Sequence, residues 1–124
     1  MSDALLIVGH GSRDPSADDI LPYYVERLSR SGSFSEVAAC YLEKAPQIPD
    51  VVRQLHADRV FIMPMLLAQG YHTRVTIPEE LGISMCESFA SGREFILLEP
   101  LGRSEHIVTL IEERVALATK KDHS

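Results

Sequence analysis

Short apolar runs alternate along the chain with longer stretches in which apolar residues recur at helical spacing. The runs are bounded by glycine, proline or charged residues, which is typical of strands buried on both faces. They cover residues 4–8, 37–42, 59–67 and 95–98. Because Pro64 has no backbone N–H to donate, we expect strand pairing to weaken within the third run.

A helical pattern follows each run. The first has a polar start at residues 16–19, but Pro22 indicates that the helix either begins later than this start or kinks there. The second covers residues 48–55, and the third is only a short capped turn at 76–82. The last is an amphipathic helix capped by Ser104, with its apolar stripe at Ile107, Ile111 and Val115. Residues 84–92 show no period and are predicted to form a loop.

This alternation predicts an α/β fold, a four-stranded parallel sheet with right-handed crossovers and helices on both faces. We expect the strand order 2-1-3-4, by analogy with flavodoxin-like sheets. Ligands of such sheets bind outside the carboxyl ends of the strands, where the strand order reverses. Here that point lies between strands one and three, and a histidine follows each of them.

Length and composition narrow the class of protein. The 124 residues are expected to form one domain, residues 1–124. No apolar run approaches the roughly 20 residues that cross a bilayer, and the first residues lack signal-peptide features, so a cytoplasmic protein without membrane contact is expected. The net charge of -6 argues against a nucleic-acid binder. Cys40 and Cys86 have no metal-binding spacing, and Cys40 is predicted to be a buried apolar residue.

Three side chains with metal-binding chemistry occur at the expected carboxyl edge. His10 follows the first strand between two glycines, Glu43 follows the second strand, and His72 follows the third. Two imidazoles and a carboxylate can bind a divalent first-row metal, and the imidazoles also accept protons near neutral pH. Glu43 alone is equally explained as a solvated acid. Arg13 and Arg74 either hold substrate carboxylates or are surface charges.

Motifs for other chemistries are missing from the sequence. Ser12 belongs to a Gly-His-Gly-Ser stretch that lacks the spacing of a hydrolase nucleophile elbow. The same loop has neither a dinucleotide fingerprint nor a Walker lysine, so no nucleotide site is expected. The remaining histidines are predicted to be surface or structural residues: His56, His106 and His123.

Three segments together resemble the CbiX/SirB-type sirohydrochlorin chelatases, the class II tetrapyrrole chelatases. They are residues 6–15 (LIVGHGSRDP), 41–49 (YLEKAPQIP) and 63–72 (MPMLLAQGYH), with Ile77-Pro78 following. The segments occur in the order found in the family and span most of the chain. The chain is about half the length of the two-domain members. It is therefore similar to the short form, a flavodoxin-like chelatase half-domain that acts as a homodimer.

The resemblance implies insertion of cobalt, iron or nickel, as the metal substrate, into a sirohydrochlorin-like tetrapyrrole for cobalamin or sirohaem. It implies that His10 and His72 bind the metal and accept pyrrole protons, and that Glu43 is a further metal ligand. No nucleotide or redox cofactor is required. The expected contacts of the polycarboxylate substrate are Ser12, Arg13, Gly70, Tyr71 and Arg74, the two arginines being inferred from the charge of the substrate.

Two other functions remain open at this point. The same residues would serve a non-catalytic carrier of a metal or a tetrapyrrole. A histidine phosphocarrier of the mannose type also has a histidine after its first strand, but it leaves His72 and Glu43 unexplained.

Overall fold

The computed structural model describes residues 2–12, 14, 16–68, 70–83, 89–90 and 92–122, so Arg13, Cys86 and His123 lie outside the described residues. The strands are β1 (Asp3–Gly9), β2 (Glu36–Tyr41), β3 (Arg59–Pro64), β4 (Phe89–Ala90) and β5 (Arg93–Leu97). The α-helices are α1 (Leu21–Arg30), α2 (Ile48–Val52), α3 (Ile77–Leu81) and α4 (Glu105–Asp122). A π-helical segment, His72–Thr76, leads directly into α3.

The sheet has the order β2-β1-β3-β5-β4. The four predicted strands pair in parallel in the expected order, which confirms the α/β prediction. The strand that was not predicted, β4, runs antiparallel to β5 at the edge of the sheet. It lies within residues 84–92, so the prediction of a loop there was wrong for Phe89–Ala90. Two residues are too few to give a hydrophobic period.

Helices cover both faces of the sheet, as predicted. Alternate residues of β1 point to opposite faces. Leu6 and Val8 pack into a cluster with α2 and α3, whereas Leu5 and Ile7 pack with α1. Strand β1 is therefore central and buried on both sides, which explains its unbroken apolar sequence.

The first helix begins at Leu21, so the polar start at residues 16–19 is not helical and the later start is confirmed. Pro22 lies in the first turn, where the missing N–H costs no helical hydrogen bond. Asp19 accepts a hydrogen bond from the Leu21 N–H through its side chain. Strand β3 ends at Pro64, where weakened pairing was expected.

The last helix begins as predicted, because the Ser104 hydroxyl accepts a hydrogen bond from the His106 N–H. However, α4 extends away from the sheet, and every residue from 108 to 120 is exposed. Ile111 and Val115 of its predicted apolar stripe are therefore not buried against the described part of the same chain, whereas Ile107 is partly buried. Among the described residues, no helix has both the length and the apolar character needed to cross a membrane.

Candidate metal centre

The carboxyl ends of β1 and β2 hold His10 and Glu43 next to each other. Hydrogen bonds between the strands continue beyond the ends of the regular pairing: Leu42 N–H donates to Gly9 O (3.0 Å) and Glu43 N–H donates to His10 O (2.9 Å). The His10 Nε2 atom consequently lies 3.8 Å from the Glu43 Oε1 atom. Both side chains are accessible, His10 being 60% and Glu43 39% exposed.

The segment after β3 brings His72 to the same edge. Hydrogen bonds between Gly70 and Thr73 hold the start of this segment. The Thr73 hydroxyl accepts from the Gly70 N–H and donates to the Gly70 carbonyl. His72 is half-buried, and its Nδ1 atom lies 3.2 Å from Thr76 Oγ1. A hydrogen bond at one ring nitrogen fixes both the ring orientation and the tautomer presented by the other nitrogen.

The three side chains form one cluster. The rings of His10 and His72 are 5.7 Å apart between centroids, with an interplanar angle of 66°. One ligand atom from each of His10, Glu43 and His72 lies within 4.8 Å of the others. Metal–ligand bonds of about 2.0–2.2 Å place tetrahedral ligands around one ion about 3.3–3.6 Å apart. Small side-chain rotations are therefore sufficient for all three to contact one divalent ion, leaving further coordination positions open.

Sequence reasoning missed a carboxylate behind His72. Glu80 Oε2 is buried and has no hydrogen-bond partner among the described residues. Burial raises the pKa of Glu80, and the nearby His72 opposes this rise. Thr76 was also missed. Both follow His72 at helical spacing, but the only helical segment delimited there was the short turn at 76–82, so the shared face was not recognised.

An open cavity of about 300 Å³ lies beside His10, between the loop after β1 and the start of α1. Its lining includes Ser12, Asp19, Tyr41, Lys44 and Leu101. The Tyr41 hydroxyl donates to Asp19, and Lys44 Nζ lies 3.7 Å from the same carboxylate. That hydrogen bond lowers the pKa of Asp19, while burial raises the pKa of Tyr41. The cavity therefore presents polar groups beside His10.

The predicted substrate contacts differ in their exposure and in their position relative to the cluster. Ser12 is exposed and lines the cavity. Gly70 and Arg74 are exposed on the segment that carries His72, and the 71%-exposed Tyr71 ring lies 6.5 Å from the His72 ring. Arg13 lies outside the described residues, so the structure does not place it.

Two relatives share the chain's sequence to different extents. A probable sirohydrochlorin cobaltochelatase of Halobacterium salinarum is 35% identical over 63% of this chain and 27% of its own length. The sirohydrochlorin cobaltochelatase of Saccharolobus solfataricus is 32% identical over 96% of this chain and 98% of its own length. The chain thus spans about a quarter of the first protein and nearly all of the second.

A solved structure shares the fold. The sirohydrochlorin chelatase SirB from Bacillus subtilis subspecies spizizenii, in complex with cobalt, matches with a TM-score of 0.76 and 27% identity. The match covers 94% of this chain and 50% of SirB. The CbiX family model matches residues 4–118. The chain therefore belongs to the CbiX family.

Proposed function

We propose that this protein inserts a divalent metal ion into sirohydrochlorin, with cobalt as the first candidate and iron and nickel as alternatives. The observation that carries the proposal is the cluster of His10, Glu43 and His72, whose ligand atoms lie within 4.8 Å of one another at an open sheet edge. The relatives named above support cobalt, because they are described as cobaltochelatases and SirB was solved with cobalt.

In the proposed reaction the cluster holds the incoming ion, and the two histidines replace part of its water shell. The macrocycle binds over the ion, and two pyrrole nitrogens lose their protons as they bind it. A neutral imidazole serves both as a metal ligand and as a proton acceptor, so His10 and His72 are the proposed acceptors. The ion passes to the four ring nitrogens, and two protons leave for solvent.

The substrate carries several carboxylates and needs polar partners around an open surface. We propose that Ser12, Gly70, Tyr71 and Arg74 contact the macrocycle or its carboxylates, together with Arg13. The cavity of about 300 Å³ is at the lower end of ligand-pocket volumes. It accommodates one edge of a macrocycle, so the remainder requires a second surface. We propose that a second copy of the chain provides it, in a homodimer.

Metal insertion with purified protein tests the proposal. Sirohydrochlorin is mixed anaerobically with cobalt, iron or nickel, and the change in its absorption spectrum is followed with and without enzyme. We expect His10→Ala and His72→Ala each to lower the rate by about a hundredfold or more, the usual contribution of a positioned proton acceptor. His56→Ala is the matched control, because His56 is exposed and lies three residues before β3, at the opposite edge of the sheet.

A carrier and an enzyme give different results in this assay. An enzyme produces many equivalents of metallated product per chain, whereas a carrier binds one equivalent without exceeding the spontaneous rate. Stoichiometric binding without turnover, or unchanged rates in both histidine variants, would overturn the proposed activity.

A further inference from the structure

Glu80 is a partly buried carboxylate on α3, behind His72. Its Oε2 atom is buried and has no hydrogen-bond partner among the described residues. The next carboxylate along the helix, Glu79, is exposed to solvent. A buried carboxylate oxygen without a partner lowers the stability of the folded chain, so stability does not explain the presence of a glutamate at position 80.

Helical geometry places Thr76 between His72 and Glu80. The π-helical segment continues into α3 without a break, because the backbone at Tyr71, Thr76 and Ile77 is right-handed helical throughout. Side chains four residues apart on a helix are neighbours, with Cβ atoms about 5–6 Å apart. The first pair is in contact, since His72 Nδ1 lies 3.2 Å from Thr76 Oγ1. His72, Thr76 and Glu80 are all half-buried and therefore form one row along the helix.

The bond between His72 and Thr76 has two possible directions, which differ in what His72 offers to a metal. If the Thr76 hydroxyl donates to Nδ1, the neutral ring carries its proton on Nε2, which then neither binds a metal nor accepts a pyrrole proton. If Nδ1–H donates to the hydroxyl oxygen, Nε2 keeps its lone pair and does both. In that second direction the hydroxyl hydrogen needs an acceptor of its own.

We propose that Glu80 is this acceptor, and that it is a positioning residue acting on His72 through Thr76. The Thr76 hydroxyl donates to Glu80 Oε2 after a rotation of side chains one helical turn apart. The hydroxyl oxygen then accepts from His72 Nδ1–H, and the Nε2 lone pair is presented to the ion. The unpaired carboxylate oxygen and the hydroxyl hydrogen are satisfied together. This inference rests on the proposed function, in which His72 binds the metal and accepts a proton.

The charge of Glu80 also suits an ion in the cluster. A divalent ion bound with Glu43 retains one positive charge, and the carboxylate of Glu80 behind His72 balances it. An imidazole that has accepted a pyrrole proton is also positive, and a nearby carboxylate stabilises that form. Groups that hold a metal-binding histidine from behind usually change metal affinity by about 10–100-fold. An effect of this size is expected for Glu80.

The first test determines which ring nitrogen of His72 carries the proton. Long-range proton–nitrogen correlation spectra are recorded on the metal-free full chain at pH 8, above the ordinary histidine pKa of about 6.5. The signals of His72 are those lost in His72→Ala. We expect a proton on Nδ1 in the unaltered chain and in Thr76→Ser, which keeps the hydroxyl. Thr76→Val and Glu80→Met should each lose this preference.

Two results of these spectra would overturn the proposal. One is a proton on Nε2 of His72 in the unaltered chain. The other is a Glu80→Met variant in which the proton stays on Nδ1.

The second test measures cobalt affinity by titration calorimetry. We expect Glu80→Met and Thr76→Val each to weaken cobalt binding by about 10–100-fold. Glu79→Met is the matched control, because it removes the same charge from an exposed position one residue away on α3. It should leave the affinity unchanged, as should Thr76→Ser. Equal losses in Glu80→Met and Glu79→Met would attribute the effect to net charge and overturn the proposal.

Urea unfolding separates a positioning role from a structural one. Glu80→Met removes an unpaired buried oxygen, so its unfolding midpoint should not fall. Weaker cobalt binding at an undiminished midpoint is the result expected for a positioning residue. A lower midpoint that accompanies the loss of cobalt binding would show that Glu80 is structural.

These readouts do not depend on sirohydrochlorin, so they separate this inference from the proposed activity. The expected proton position and cobalt affinities in a chain that does not insert metal reject the chelatase function alone. Full metal insertion by Glu80→Met, with the proton of His72 still on Nδ1, rejects the role of Glu80 alone.

Discussion

Gly11 gives a quantitative test of how the loop beside His10 is held. Its φ is +80°, and a Cβ atom there would lie 2.9 Å from Tyr41 Cβ and 3.0 Å from Lys44 Cγ. Gly32 has a similar φ of +74°, but no atom lies within 4 Å of its Cβ position. Alanine at either position adds the left-handed strain of about 1–2 kcal/mol. Only Gly11→Ala also forces atoms together.

The overlap adds about 1–3 kcal/mol, the usual cost of an extra carbon in a packed site. We therefore expect the free energy of unfolding to fall by about 2–5 kcal/mol in Gly11→Ala and about 1–2 kcal/mol in Gly32→Ala. The effect of alanine on the unfolded chain is the same in both variants, so it cancels in the comparison.

Urea unfolding followed by far-ultraviolet circular dichroism measures both variants, since the chain has no tryptophan. Cobalt affinity should also fall in Gly11→Ala and stay unchanged in Gly32→Ala. Only the substitution at position 11 displaces the backbone directly next to His10. Equal destabilisation of the two variants, or equal cobalt affinities, would refute this view of the loop.

Three further predictions concern the surrounding framework. Tyr41→Phe should cost about 1 kcal/mol in urea unfolding at pH 7. Because its hydrogen bond lowers the pKa of Asp19 below 3.8, this loss should shrink as the pH falls through the folded pKa. Arg93→Met should lower the free energy of unfolding by about 2–3 kcal/mol, since the guanidinium donates to three backbone carbonyls. Arg53 is exposed, so Arg53→Met, the control, should change it by less than about 1 kcal/mol. Burial raises the pKa of Cys40 to about 12, so iodoacetamide at pH 8 should modify it only after unfolding, as measured by peptide mass.

The four parallel strands were predictable because each contains a continuous apolar run, whereas their order was expected by analogy with flavodoxin-like sheets. Residues 4–8 are buried on both faces, so their apolar character does not depend on a period. The meeting of His10, Glu43 and His72 was also predictable, since the carboxyl ends of neighbouring parallel strands share one edge. Their chemical roles remain proposals.

Other features depend on contacts that a single sequence does not encode locally. The π-helical segment His72–Thr76 has no characteristic residue pattern, so the side-chain row that includes Glu80 was not apparent. The sequence left open whether α1 begins late or kinks at Pro22. The hydrogen bond from the Leu21 N–H to the Asp19 side chain, which lies outside the helix, has no signature in the hydrophobic pattern. The stripe containing Ile111 predicts that α4 is buried, but the same stripe fits its own sheet or that of a second copy.

Cobalt coordination measured on the purified protein tests the central claim most directly. X-ray absorption at the cobalt edge, combined with pulsed electron paramagnetic resonance, counts imidazole nitrogens around the bound ion. The account predicts one cobalt per chain with two imidazoles and a carboxylate, and one imidazole fewer in His10→Ala and in His72→Ala. Cobalt that keeps the same ligands in both variants would contradict it.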